Sequence, residues 1–177
     1  GIKEYSIKKD HCDCLFILAV KPKDALHAFD EICRQYKKPK IVSLVAGIKS
    51  KRYLCISKDT QFIRAMPNIP SKFNKGITAI YNVSGTLTTL KKVKALFKRV
   101  GIALEIDKES QMDDFTGLIG SGPAYFFYLL KIYEKRILKL TNGNTKLRDQ
   151  MLGNLMEGIG VASKENKTMD ELISAVA

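Results

Sequence analysis

Residues 14–22 read CLFILAVKP, a continuous apolar run with no alternation that closes on Lys21-Pro22. That is the signature of a strand buried on both faces of a parallel sheet. A helix is expected to follow. Ala25, Phe29, Ile32, Cys33 and Tyr36 recur at helical spacing, Pro22 and Asp24 suit a first turn, and Lys37-Lys38-Pro39 ends the element. Two further apolar runs repeat the strand signal. Ile41–Val45 closes on Ala46-Gly47, and Gln61–Ala65 closes on Met66-Pro67-Asn68. Strand, helix, strand in this order predicts an α/β unit built on a parallel sheet. The connection over 48–60 has room for only about two helical turns.

Downstream, Gly76–Tyr81 reads as another strand. Leu90, Val93, Phe97 and Val100 make an amphipathic helix stopped by Gly101, and Ala103–Ile106 is expected to close the sheet. From about Gln111 the β-branched runs give way to helical patterns, which divides the chain into an α/β domain over 1–110 and a helical domain over 111–177. Pro123 suits the first turn of a helix running to about Leu140. TNGNT (141–145) is a turn with a capping residue at its end, and Leu147, Met151, Leu155, Ile159 and Ala162 form the next stripe. Gly153, Gly158 and Gly160 weaken that helix and point to close approach by another, in the same or a second subunit. Thr168 to Glu171 is a capping box opening a last helix that the chain end cuts short.

Composition bounds the partners. The 177 residues are 45% apolar and 27% charged, the balance of a folded protein, and the formal charge is +12. Of the basic residues 24 are Lys and 6 Arg, spread along the whole length. Arg supplies the bidentate fork of base and phosphate recognition, so the charge reads as a solvated Lys-rich surface and nucleic acid is not expected as a partner. No run approaches the ~18 apolar residues of a membrane span. The opening GIKEYSIKKD has no apolar core of a signal peptide, and Cys12, Cys14, Cys33 and Cys55 read as thiols of a reduced, cytoplasmic compartment. His11-Cys12-Asp13-Cys14 lacks the usual metal spacing and a second pair, so no metal is expected. His27 falls off the apolar stripe of its helix, as a surface residue would. Tyr125, Phe126, Phe127 and Tyr128 face different ways around a helix and read as packing rather than a base-stacking platform.

In an open parallel sheet, ligands bind outside the carboxyl ends of the strands. Ala19 to Pro22, Leu44 to Gly47 and Met66 to Pro70 occupy such ends, with small residues for close approach and prolines restricting the chain beyond. LAVKP (18–22), SLVAG (43–47), IRAMPNIP (63–70) followed by Gly76, and GSGPAY (120–125) stand in the order and spacing of pyrroline-5-carboxylate reductase, which the chain resembles from about Asp13 to Val176. The resemblance implies a partial Rossmann-like parallel sheet followed by an all-helical dimerisation domain, and NAD(P)H-dependent reduction of 1-pyrroline-5-carboxylate to L-proline. It further implies a homo-oligomer formed through the C-terminal helices. Ala19, Val20, Lys21, Pro22, Leu44, Val45 and Ala46 carry over as contacts to NADPH or NADH. Met66, Pro67, Asn68, Glu165 and Val176 carry over to the substrate side. No side chain is assigned as catalytic, because hydride transfer from nicotinamide is mostly a matter of positioning.

Departures from that family set a rival expectation. The family's first strand and glycine-rich phosphate turn have no counterpart here, since GSGPAY follows no strand and puts Tyr125 at the third glycine position. The SPGGTT-type substrate loop has none either. KIYEKRILKLTNGNTKL (131–147) is bulky and basic where the family has small and acidic residues. A reductase-derived fragment without activity, acting as a helical dimerisation module, is the alternative; a different imine or hydroxyacid reductase is disfavoured by the MPNIP and GSGPAY segments.

Overall fold

The structure, a computed structural model, describes residues 14–176. The His11-Cys12-Asp13 part of the excluded metal motif lies outside them. Among the described residues five strands form one sheet in the order β1 (Leu15–Leu18), β2 (Lys40–Ser43), β3 (Gln61–Pro67), β4 (Gly76–Asn82) and β5 (Gly101–Glu105). β1, β2 and β3 are parallel, and β4 and β5 are parallel to each other, but β4 runs antiparallel to β3. The expected parallel sheet is therefore mixed. The cause is local: the link from Asn68 to Lys75 holds only a 3-10 turn over Ile69–Phe73, too short for a parallel crossover.

Strand alternation divides the core between the two faces. On one face Ile41 and Phe62 join Leu18, Phe29 and Tyr53, contributed by β1, α1 (Ala25–Gln35) and α2 (Ser50–Leu54). The rings of Phe29, Tyr53 and Phe62 lie within 4.8–5.4 Å of one another. On the other face Val42, Ile63, Ala65 and Ile80 receive Leu90, Val93 and Phe97 of α3 (Leu87–Lys98). Thr86 caps α3 by accepting the Thr89 amide. Gly101 does not merely stop α3. It opens β5 itself, two residues earlier than the Ala103 expected, at φ +143, and passes against the backbone of Gly76. Cys33 and Cys55 are free thiols, whereas Cys14 is disulfide-bonded, contrary to the expectation of thiols throughout.

The chain separates into two compact units, residues 1–123 and 124–177. The change of pattern near Gln111 marks the switch from strands to helices, but α4 (Gln111–Phe115) stays with the sheet because Met112 and Phe115 pack on Met66, Ala79 and Ile106. A π-helical turn, Thr116–Gly120, then leads to α5 (Gly122–Leu140). In the second unit α5 and α6 (Thr145–Ala162) are linked by the Arg148–Glu134 ion pair at 3.0 Å. Asn144 caps α6, and the Thr168–Glu171 capping box opens α7 (Met169–Ser174). No helix among the described residues is long and apolar enough to cross a membrane.

Candidate functional site

Parallel pairing sets the geometry of the strand-end crevice. Leu18 is in register with Ser43, and Ser43 with Arg64, so β1 and β2 end at one level while β3 continues to Pro67. The Leu44 amide donates to the Leu18 carbonyl at 2.9 Å and holds the two exits together. All the residues assigned to a cofactor gather at this edge. Ala19, Val20, Lys21 and Pro22 are exposed there, with Pro22 starting a 3-10 turn that continues into α1. Leu44 is half-buried and Ala46 exposed, whereas the Val45 side chain turns into the core, so Val45 offers the crevice only its backbone. Gly47, at φ +75, lets the chain double back toward α2.

The residues expected on the substrate side divide between the units. Pro67 is half-buried opposite Thr78 at the start of β4. Met66 is buried at 7% exposure against Met112 and Phe115. The Asn68 amide is engaged at both ends: its Oδ1 accepts from the Ile77 amide at 2.9 Å and its Nδ2 donates to the Ile119 carbonyl at 3.3 Å. Met66 and Asn68 thus act from behind the surface, fixing the exit of β3. Glu165 and Val176 belong to the second unit, on the wall of an apolar groove of about 750 Å3 between α6 and α7, with Leu155, Ile159, Met169 and Leu172. Glu165 pairs with Lys167 at 2.7 Å. His27 lies on the surface, 3.7 Å from Glu31. Among the described residues no group of three or more His, Cys, Asp or Glu could hold a metal.

A buried polar cluster beside the crevice escaped the sequence reading. Arg64, 2% exposed, sits on the face of β3 that carries Phe62 and Met66. Its guanidinium donates to Glu109 Oε1 at 2.8 Å. The same carboxylate accepts the Ser50 amide at 2.6 Å and the Ser50 hydroxyl at 2.8 Å. Burial pushes the Glu109 carboxyl up, but its bonds from Ser50 and Arg64 outweigh that and hold it below the ordinary glutamate value. Close by, the Tyr53 hydroxyl lies 3.3 Å from Ser43 Oγ, which also accepts the Val45 amide. Burial raises the Tyr53 phenol above its usual range, opposed by Ser43 and by Arg64 and Arg52. A lone arginine inside the apolar run FIRAM was the available signal, since a buried guanidinium requires a partner. The partner itself lies too far along the chain to be read from spacing.

For a nicotinamide dinucleotide the fit is partial. Exposed Ala19, Val20 and Ala46 offer a small, apolar strip to a flat ring system. Pro22 takes one amide out of the turn after β1, so any hydrogen bonds from this turn to a bound group come from its neighbours.

This arrangement places the first unit in the Rossmann-type α/β class. Residues 109–177 match the family model described as pyrroline-5-carboxylate reductase dimerisation. Pyrroline-5-carboxylate reductase 1 of Bacillus subtilis strain 168 is 37% identical over 124 residues, 68% of this chain and 41% of that protein. Pyrroline-5-carboxylate reductase of Synechocystis sp. is 36% identical over 118 residues, 66% of this chain and 44% of that protein. Among solved structures, Plasmodium falciparum pyrroline carboxylate reductase with NADP bound superposes with a TM-score of 0.83 at 23% identity, covering 94% of this chain and 64% of that one. The chain is similar to pyrroline-5-carboxylate reductases and spans about two-fifths of the length of these curated relatives.

Proposed function

We propose that this chain supplies the strand-end half of a nicotinamide dinucleotide site in a reductase of a cyclic imine, 1-pyrroline-5-carboxylate, forming L-proline. The observation that carries the reading is the convergence of Ala19 to Pro22 and Leu44 to Ala46 at one sheet edge, beside the exit of β3. It is supported by the names of the relatives and by the NADP bound to the Plasmodium protein. Bound NADPH or NADH would supply the hydride. The backbone of Val20 and Val45 would orient it, Ala19 and Ala46 would leave room for it, and Pro67, backed by Met66 and Asn68, would wall the imine side. Glu165 and Val176 are assigned to the substrate side of the second unit. We assign the protein to the cytoplasm, acting as a homo-oligomer through its helical unit.

A second reading, a helical dimerisation module without activity, is favoured by one observation: residues 109–177 match the family model described as pyrroline-5-carboxylate reductase dimerisation. Titration of NADPH and NADH against the 177-residue chain by calorimetry separates the two. Micromolar binding is expected if the strand ends suffice. No binding up to millimolar concentration would overturn the dinucleotide reading and leave the dimerisation module.

A further inference from the structure

We propose that Glu109, held by the buried Arg64, is a positioning residue that fixes the β2–α2 turn, Leu44 to Lys49, from across the chain. A buried guanidinium must be paired, and Glu109 is the carboxylate that pairs it at 2.8 Å. The pairing leaves the carboxylate with acceptor capacity, and Ser50 uses it through both its amide and its hydroxyl. Ser50 is the first residue of α2, where the backbone amide has no partner within the helix.

At the other end of the turn, the Ser43 hydroxyl accepts the Val45 amide and meets the Tyr53 hydroxyl. Between these two anchors the chain carries exposed Ala46 and Gly47, while Val45 and Ile48 insert into the core. Arg64 lies at the level where β1 and β2 end, which puts the clamp at the mouth of the strand-end crevice. The groups facing the Glu109 carboxylate are the Arg64 guanidinium and the Ser50 amide and hydroxyl. The effect of the clamp on dinucleotide affinity rests on the reading above; its effect on the turn does not.

The test compares the full chain with E109Q and S50A by site-resolved amide hydrogen exchange and by NADPH titration. Losing bonds to a charged acceptor should speed exchange at Val45 and Ser50 about tenfold in E109Q and weaken NADPH binding by about the same factor, with α3 unchanged. S50A keeps the Arg64–Glu109 pair and should shift exchange and binding the same way by a smaller factor, so it decides the matter if E109Q does not fold. Unchanged exchange at Val45 and Ser50 in the folded variants, or acceleration spread evenly over the sheet, would overturn the proposal. A loosened turn with unaltered NADPH affinity would overturn its link to the ligand. A wild-type chain that binds no NADPH overturns the dinucleotide reading alone, and exchange still decides whether Glu109 sets the turn.

Discussion

Glu109 shows how much one side chain can be asked to do. Its folded value is depressed, so the stability it contributes is complete above the ordinary value of 4.5 and is lost as pH falls through the lower folded value. The stability difference between wild type and E109Q, from urea midpoints, is therefore expected to stay constant from about pH 7 to about pH 5 and to shrink toward about pH 3. A difference that grew on acidification would contradict the ion pair. Arg64 was passed over in the sequence, although a charge between apolar Ile63 and Ala65 was the available signal. Its partner was not legible, because Glu109 follows β5 in a polar segment, Asp107 to Ser110, that reads as an ordinary loop. The same limit applies to Asn68, which the resemblance puts on the substrate side: the bridge its amide makes between Ile77 and Ile119 could not be read from the MPN motif.

At the level of elements, the strands and helices of the α/β unit followed from apolar runs and helical stripes, since each is dictated by which face must be buried. Strand direction was not legible. A run of apolar residues in β4 looks the same whichever way it runs, and only the shortness of the link from Asn68 to Lys75 reverses it. Gly101 was readable as punctuation but not as a strand residue at φ +143, where an added Cβ would run into the Gly76 carbonyl oxygen. G101A is thus expected to destabilise the unit by about 2 kcal/mol or more, since it combines an unfavourable backbone with a collision against a neighbouring strand. Chemical denaturation would show it as a lowered midpoint, and a midpoint equal to wild type would mean that β5 can shift to make room.

On the scale of the whole molecule, the two units differ in how much apolar surface they cover. The first buries Phe29, Tyr53, Phe62, Phe97 and Phe115, whereas Tyr128 and Ile132, one helical turn apart on α5, are 76% and 57% exposed. Contiguous exposure of that kind marks an interaction surface. Sedimentation velocity over a range of concentrations is expected to show wild type moving from monomer toward a larger species, and Y128E/I132E remaining a monomer with the same thermal midpoint. A wild-type chain that stays monomeric throughout would count against assembly through this helix. The helical character of residues 124–176 was legible from periodicity, but the 1–110 and 111–177 division marks only where the pattern changes. α4 packs under the sheet, while the family match begins at residue 109.

The reversal of β4 also sorts the connections of the sheet. The exits of β1, β2 and β3 lie toward one edge, together with the starts of β4 and β5, while the approaches to β2 and β3 lie at the other. At that far edge the link from α1 to β2 passes through exposed Lys37 and Lys38, with Lys38 in a left-handed turn at φ 51. Recognition and tolerance are thereby kept apart: lengthening the chain or attaching a label at Lys38 changes a loop remote from the crevice, and the sheet lies between the two.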